Sequence, residues 1–227
     1  MIDDTLFIIP ARGGSRGLPR KNILMLAGRP MIYYTIDAAR GVTSDANICV
    51  STDDPEIKQI VEEYGLDIPF IRPKELATDY TGSRDVLMHA IGYYRNVLQR
   101  DYKKICLLQP TSPMRTSNHI NEAFSCWLDE LDMVVSVKES KANPYFNLFE
   151  EDNGSLRLSK KGNYLRRQDA PVIWELNGAI YIINIESLRR YPISEFRNVV
   201  KYVMGENDSV DIDSLEDFKL AELLLRK

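Results

Sequence analysis

Apolar residues along this chain fall into two alternating kinds of run. Compact runs at 5–9, 48–50, 104–108, 133–137 and 177–183 are rich in Ile, Val, Leu and Cys and read as buried strands. Between them, apolar positions recur every three or four residues. The run 31–40 is apolar at most positions and predicts a mostly buried helix. Pro55 opens a second helix carrying Ile57, Ile60, Val61 and Tyr64 at helical spacing, and Gly65 stops it. The longest helical pattern, 83–98, puts Val86, Leu87, Ala90, Ile91, Tyr94 and Leu98 on one face. Ser117 is the expected cap of a helix with Ile120, Ala123, Phe124 and Trp127 inward. A brief extended run at 69–71 precedes Arg72-Pro73, and a further strand is expected at 199–204. Ser214 and Asp217 have the spacing of a capping box for a helix ending at Leu225.

Alternating strands and helices predict an α/β fold built on a doubly wound, mainly parallel sheet. Ligands of such sheets sit in the crevice beyond the carboxyl ends of the strands. The pattern breaks at 138–172, which is polar and carries Asn143-Pro144 and Asn153-Gly154 turn signals. Short strands are expected there at 145–150 and 155–158. It reads as an arm inserted into a core of residues 1–137 and 173–227, serving oligomerisation or acting as a lid.

With 227 residues the chain suits one domain and its arm. A net charge of −4 gives no overall basic field, so an anionic substrate must be met by local cations. Neither nucleic acid nor a membrane is an expected partner. Cys49, Cys106 and Cys126 read as reduced residues, and the acidic start Met1-Ile2-Asp3-Asp4 does not look like a signal peptide. A cytoplasmic protein is expected.

Local cations are concentrated in one place. The segment 8–22 leaves the first strand with Gly13, Gly14 and Gly17 interleaved among Arg12, Arg16, Arg20 and Lys21. Glycines let main-chain N–H groups approach a ligand, and the cations suit a polyphosphate. A solvated surface turn is the plainer reading. Asp211 and Asp213, two residues apart on an extended segment, project to one side and suit Mg²⁺ completed by phosphate oxygens. A solvated acidic turn, or a carboxylate at a helix amino terminus, would use the same residues. Gln109, Thr111, Ser112 and Arg115 follow a buried strand and should line the crevice. In 166–169, Arg167 beside Gln168 could grip a carboxylate and its neighbouring hydroxyls, as an acidic sugar requires, or form an exposed basic turn. His89 and His119 lack a nucleophilic partner motif, and no Cys/His spacing suggests zinc.

Taken together, the segments 8–22, 51–53, 72–77, 107–115, 167–168, 177–182 and 209–213 resemble the acylneuraminate cytidylyltransferase family in order and spacing, over almost the whole length. The resemblance implies a Rossmann-like sheet of the nucleotidyltransferase type, with an arm that makes a homodimer. It implies transfer of CMP from CTP to the anomeric hydroxyl of a nine-carbon 2-keto sugar acid, N-acetylneuraminate foremost, with release of pyrophosphate. By the same resemblance Arg12, Lys21 and Asp211 are the catalytic residues. Arg12, Gly13, Ser15, Arg16, Asn22, Arg72 and Ser83 bind nucleotide, and Gln109, Arg167, Asn177 and Tyr181 bind sugar. Asp211 and Asp213 hold Mg²⁺. Arg16 departs from the family's usual Lys, trading a compact ammonium for a planar fork. Related enzymes use legionaminate, pseudaminate or Kdo, or another nucleotide. A non-catalytic nucleotide-sugar sensor is the alternative of a different class, although such a protein is expected to have lost the aspartates or the loop cations.

Overall fold

The computed structural model describes residues 1–227 except Ser15, Arg16, Asp79 and Lys227, so the nucleotide-binding roles expected of Ser15 and Arg16 lie outside the described residues. In chain order the strands are β1 (Thr5–Pro10), β2 (Met25–Leu26), β3 (Arg29–Pro30), β4 (Ile48–Ser51), β5 (Lys104–Leu107), β6 (Met133–Glu139), β7 (Phe149–Asp152), β8 (Ser155–Leu158), β9 (Trp174–Asn184) and β10 (Val199–Val203). The helices are α1 (Met31–Arg40), α2 (Pro55–Glu63), α3 (Ser83–Asn96), α4 (Ser117–Ser125), α5 (Ile185–Arg190) and α6 (Leu215–Leu225).

Six strands form one sheet in the order β10-β6-β9-β5-β1-β4. Only β9 runs antiparallel to its neighbours; the remaining pairs are parallel. The sheet is the mainly parallel, doubly wound one that the residue pattern predicts. Alternation along β1 shows why its strands read as continuous apolar runs: Phe7 and Ile9 pack on the face covered by α1, α2 and α4, while Leu6 and Ile8 face α3 and α5. Both faces are buried, so the strands are mostly apolar, with only small hydroxyl residues such as Thr5, Ser51 and Ser136 among the buried polar ones. From β1 the chain crosses to β4 on one side and later to β5 on the other. That reversal opens a crevice at the carboxyl ends of β1 and β5.

Several boundaries and roles differ from expectation. Thr116, not Ser117, caps α4: its hydroxyl accepts from His119 N–H at 3.4 Å, and His119 Nδ1 accepts from Thr116 N–H at 3.3 Å. His119 thus completes a capping box, a pairing hidden because Glu or Gln is the usual partner there. Residues 69–71 pair with no strand among the described residues, α3 stops at Asn96, and β9 is 11 residues long because its first residues, Trp174–Leu176, pair with Val137–Glu139 at the end of β6. Ser112 and Arg115 do not line the crevice; both are buried beneath it. Arg115 donates to Ala179 O at 2.9 Å, Gln109 O at 3.1 Å and Thr35 Oγ1 at 2.6 Å, acting as an internal cross-link.

In the arm, β7 pairs antiparallel with β8 across Asn153-Gly154, whose φ angles of 51° and 78° are those of a primed hairpin turn. The first arm strand starts at Phe149, not 145, and every residue of both strands is exposed. The three cysteines are free, and burial pushes the Cys49 thiol up to about 12. No helix among the described residues is long and apolar enough to cross a membrane.

Candidate active site

The crevice at the sheet's reversal is a cleft of about 480 Å³. Segments from four parts of the chain wall it. Arg12, Lys21 and Asn22 come from the loop after β1, Gln109 and Thr111 from the segment after β5, and Asp211 and Asp213 from the approach to α6. Arg72, Leu76, Thr78, Thr81 and Ser83 close the remaining side. The glycine-rich cationic loop and the distant aspartates, about 190 positions apart in sequence, therefore meet in one cavity.

Loop geometry is set by hydrogen bonds that spend some of its polar groups inward. Asn22 is 4% exposed and donates from Nδ2 to Arg12 O at 3.0 Å, tying the start of the loop to its end. Lys21 Nζ donates to Asp213 Oδ1 at 2.8 Å and to Ile212 O at 3.1 Å. Arg20, one of the four loop cations, is turned toward Asp54 and Glu56. A Cβ on Gly17 would stand 2.2 Å from Asp213 O, so only glycine lets the loop lie this close to the aspartate segment.

The acidic wall follows from the alternation of an extended chain. Ile212 is fully buried in a small cluster with Leu26, Met31, Val210 and Ala221, so Asp211 and Asp213 on either side project away from it into the cleft. Ile212 N–H donates to Thr111 O at 2.8 Å, which pins the segment to the chain leaving β5. The two carboxylates differ. Asp213 is largely exposed and paired with Lys21. Asp211 is mostly buried, and among the described residues its Oδ1 has no hydrogen-bond partner. Burial raises the Asp211 carboxyl above its ordinary value, and Asp213 adds to this; the Thr111 side chain and Lys21 act in the opposite sense. A buried carboxylate oxygen without a donor is costly unless something positive is to meet it. Among the described residues no group of three or more His, Cys, Asp or Glu converges on a metal position. The pair therefore fits a hard cation that takes its remaining ligands from water and a substrate's phosphates.

Of the other expected site residues, Arg72, Ser83 and Gln109 line the cleft. Arg72 is 4% exposed and donates to Ser51 O and to Leu76 O. Burial lowers its pKa, with Asp53 partly compensating. Tyr181, on β9, is half-buried near Asp211; burial and that carboxylate both raise its phenol. Gly13 sits against Asp53 and Asp54. Asn177 does not face the cleft. Its Oδ1 accepts from Ser136 Oγ at 2.6 Å and Ala179 N–H at 3.2 Å, while Nδ2 donates to Ser209 Oγ at 2.9 Å. Asn177 holds the irregular β6–β9 pairing beneath the site and ties it to the turn before Asp211. The next residue, Gly178 (φ 77°), lies under Gln109 and Asp211, where a Cβ would come within 2.9 Å of Gln109 Oε1. Arg167 is elsewhere too: it lines a separate concavity with Ser140, Asn143 and Gln168, and donates to Ser140 O at 3.2 Å. Thr78, Thr81 and Asp54 carried no motif, and Asp53 entered only within the segment 51–53, with no role given to it. The one available sign was their position just beyond strand or helix ends at the crevice.

Residues 6–227 match the family model described as cytidylyltransferase. The N-acylneuraminate cytidylyltransferase of Escherichia coli is 36% identical over 222 residues, 97% of this chain, although the chain spans only about half (52%) of that protein's length. The CMP-N,N'-diacetyllegionaminic acid synthase of Campylobacter jejuni is 33% identical over 98% of this chain and 95% of its own. A solved CMP:2-keto-3-deoxy-manno-octonic acid synthetase complexed with CTP superimposes with a TM-score of 0.69 at 18% identity over 98% of both chains, which establishes the shared fold. With its sequence matched almost end to end and its sheet shared with such enzymes, this chain belongs to the cytidylyltransferase family.

Proposed function

We propose that this protein transfers CMP from CTP to the anomeric hydroxyl of a nine-carbon 2-keto sugar acid and releases pyrophosphate. The observation that carries the reading is the single cleft in which Arg12 and Lys21 face Asp211 and Asp213. Cations on one wall suit the β- and γ-phosphates, whose charge grows as pyrophosphate departs. In-line attack by the sugar oxygen on the α-phosphorus needs positioning and charge neutralisation more than covalent help from the protein. Asn22, Arg72 and Ser83, which line the cleft, would meet the nucleoside, and Gln109 with Tyr181 would meet the sugar. Asp211 and Asp213 would hold Mg²⁺, which when bound supplies Lewis-acid polarisation of the phosphate and a lower pKa for a bound hydroxyl. Lys21 sits on Asp213, so its ammonium would meet phosphates held at that carboxylate.

N-acetylneuraminate is the proposed acid, in line with the E. coli relative. N,N'-diacetyllegionaminate is the second reading, because the Campylobacter synthase matches the chain over nearly its full length. Pyrophosphate release measured with CTP and GTP against both acids and Kdo tests this. Turnover is expected with CTP and a nine-carbon acid; release with no acid, or with GTP alone, would overturn it.

The cytoplasm and a homodimer are proposed on the same footing. Three free cysteines suit a reducing compartment. A two-stranded hairpin with all its side chains in solvent is marginal alone, and Phe149, Leu156 and Leu158 on it are exposed apolar residues, as is Leu165 beside it. Light scattering is expected to give twice the 26.1 kDa chain mass, falling to one chain for Leu156→Glu. A monomeric parent protein would remove the arm's proposed role.

A further inference from the structure

Two cleft cations, Arg12 and Lys21, are each the immediate chain neighbour of a residue held from behind. Gly13, after Arg12, donates its N–H to Asp53 Oδ1 at 3.1 Å. Its Cα lies so close to Asp54 that a Cβ would stand 2.2 Å from Asp54 Oδ2. Arg20, before Lys21, adopts a left-handed conformation (φ 57°, ψ 27°) unusual for a residue with a side chain. Its guanidinium grips Asp54 with both ends, Nη1 to Oδ2 at 3.1 Å and Nη2 to Oδ1 at 3.2 Å, and Nη2 also pairs with the more exposed Glu56. Asp53 and Asp54 themselves are fixed by the end of β4 and the start of α2. Asp54 caps that helix, its Oδ1 accepting from Glu56 N–H at 2.8 Å and Ile57 N–H at 3.3 Å. Burial pushes the Asp54 carboxyl up, but Arg20 and the two helix N–H groups outweigh it and hold the carboxyl below its ordinary value.

We infer that Asp54 is a positioning residue for the nucleotide site: by gripping Arg20, while its neighbour Asp53 holds the Gly13 N–H, it clasps the far end of the glycine-rich loop to the rigid β4–α2 junction, and so helps present Arg12 and Lys21 to the triphosphate. Arg20 accordingly serves the loop's shape and is not a phosphate ligand. The inference rests on the proposed use of CTP. Without the clasp the loop samples other shapes, and apparent affinity falls by the fraction of time it remains competent.

Asp54→Asn separates the two duties of the side chain. Asparagine caps a helix as well as aspartate, yet it cannot form the charged two-pronged grip on Arg20. In Mg²⁺-CTP titrations by calorimetry, Asp54→Asn and Arg20→Ala are each expected to bind about tenfold more weakly, as for a loop competent about a tenth of the time. The double variant should be no weaker than either single one. KM for CTP should rise with kcat nearly unchanged, and thermal unfolding of Asp54→Asn should stay near that of the parent. Hydrogen exchange of the ligand-free protein supplies an arm that does not depend on CTP: amides of 12–22 should exchange faster in Asp54→Asn. Unchanged exchange and affinity in Asp54→Asn would overturn the clasp. So would an Arg20→Ala loss far larger than that of Asp54→Asn and additive with it, which would make Arg20 a direct ligand. A parent protein that binds no CTP while exchange responds as expected would leave the clasp standing and overturn the function.

Discussion

Asp211→Asn is expected to cut kcat on the order of 10³-fold while leaving the protein at least as stable as its parent. The two halves of this expectation have one cause. Asp211 carries a mostly buried carboxylate with an oxygen that no donor among the described residues meets. Such a group is a liability to folding and an asset only when a positive partner arrives with the substrate. The sign of the pH effect follows. Its native carboxyl pKa is raised, so between the ordinary aspartate value and that raised value the folded state binds more protons than the unfolded one. Over that window the Asp211 contribution to stability falls as pH rises. Asparagine removes the contribution, so the variant should gain on its parent most near pH 7, and the gain should shrink as pH drops through the window. Denaturant titrations at pH 7 and pH 4, alongside pyrophosphate release, check both halves. Full turnover in the variant would take Asp211 out of the chemistry. A variant markedly less stable at pH 7 would mean that the carboxylate is satisfied in the fold after all.

The second large effect is structural. Arg115→Met should destabilise the protein by about 3 kcal/mol, because two backbone carbonyls and the Thr35 hydroxyl lose a buried donor at once. Burial pushes the guanidinium down to about 10, so it remains charged at neutral pH, held by neutral acceptors that its planar fork reaches on β9, on α1 and in the segment after β5. Lysine has neither the fork nor the reach, and Arg115→Lys should recover only part of the loss. The midpoint of urea unfolding reports this if the slope is unchanged. Gln109 O is one of the three acceptors, so KM for the sugar acid should rise as stability falls. A midpoint equivalent to less than about 0.5 kcal/mol from the parent would show that the cross-link contributes nothing.

Both residues illustrate how legible the chain was. Asp211 was identifiable because a two-residue spacing on an extended segment has a fixed geometric meaning, and Ile212 between the carboxylates obeys it by turning into the core. Arg115 was misassigned because an arginine after a buried strand reads as a crevice residue. Nothing local reveals that Ala179 and Thr35 are waiting for its protons. Asn177 belongs with it: the segment 177–182 supports the family resemblance, yet the side chain is consumed by Ser136 and Ser209. Arg20 looked like one more phosphate cation until Asp54 was found across from it.

Residue order alone was enough for the alternating strands and helices, the parallel sheet, the arm's hairpin turn and the cationic glycine loop, because each rests on periodicity or on local backbone chemistry within a few positions. Which cations face the cleft, which carboxylate is left without a donor and which asparagine is spent inside the protein depend on partners that lie dozens to nearly two hundred positions away. Only the packed sheet, by bringing the ends of β1, β4 and β5 beside the approach to α6, decides those pairings.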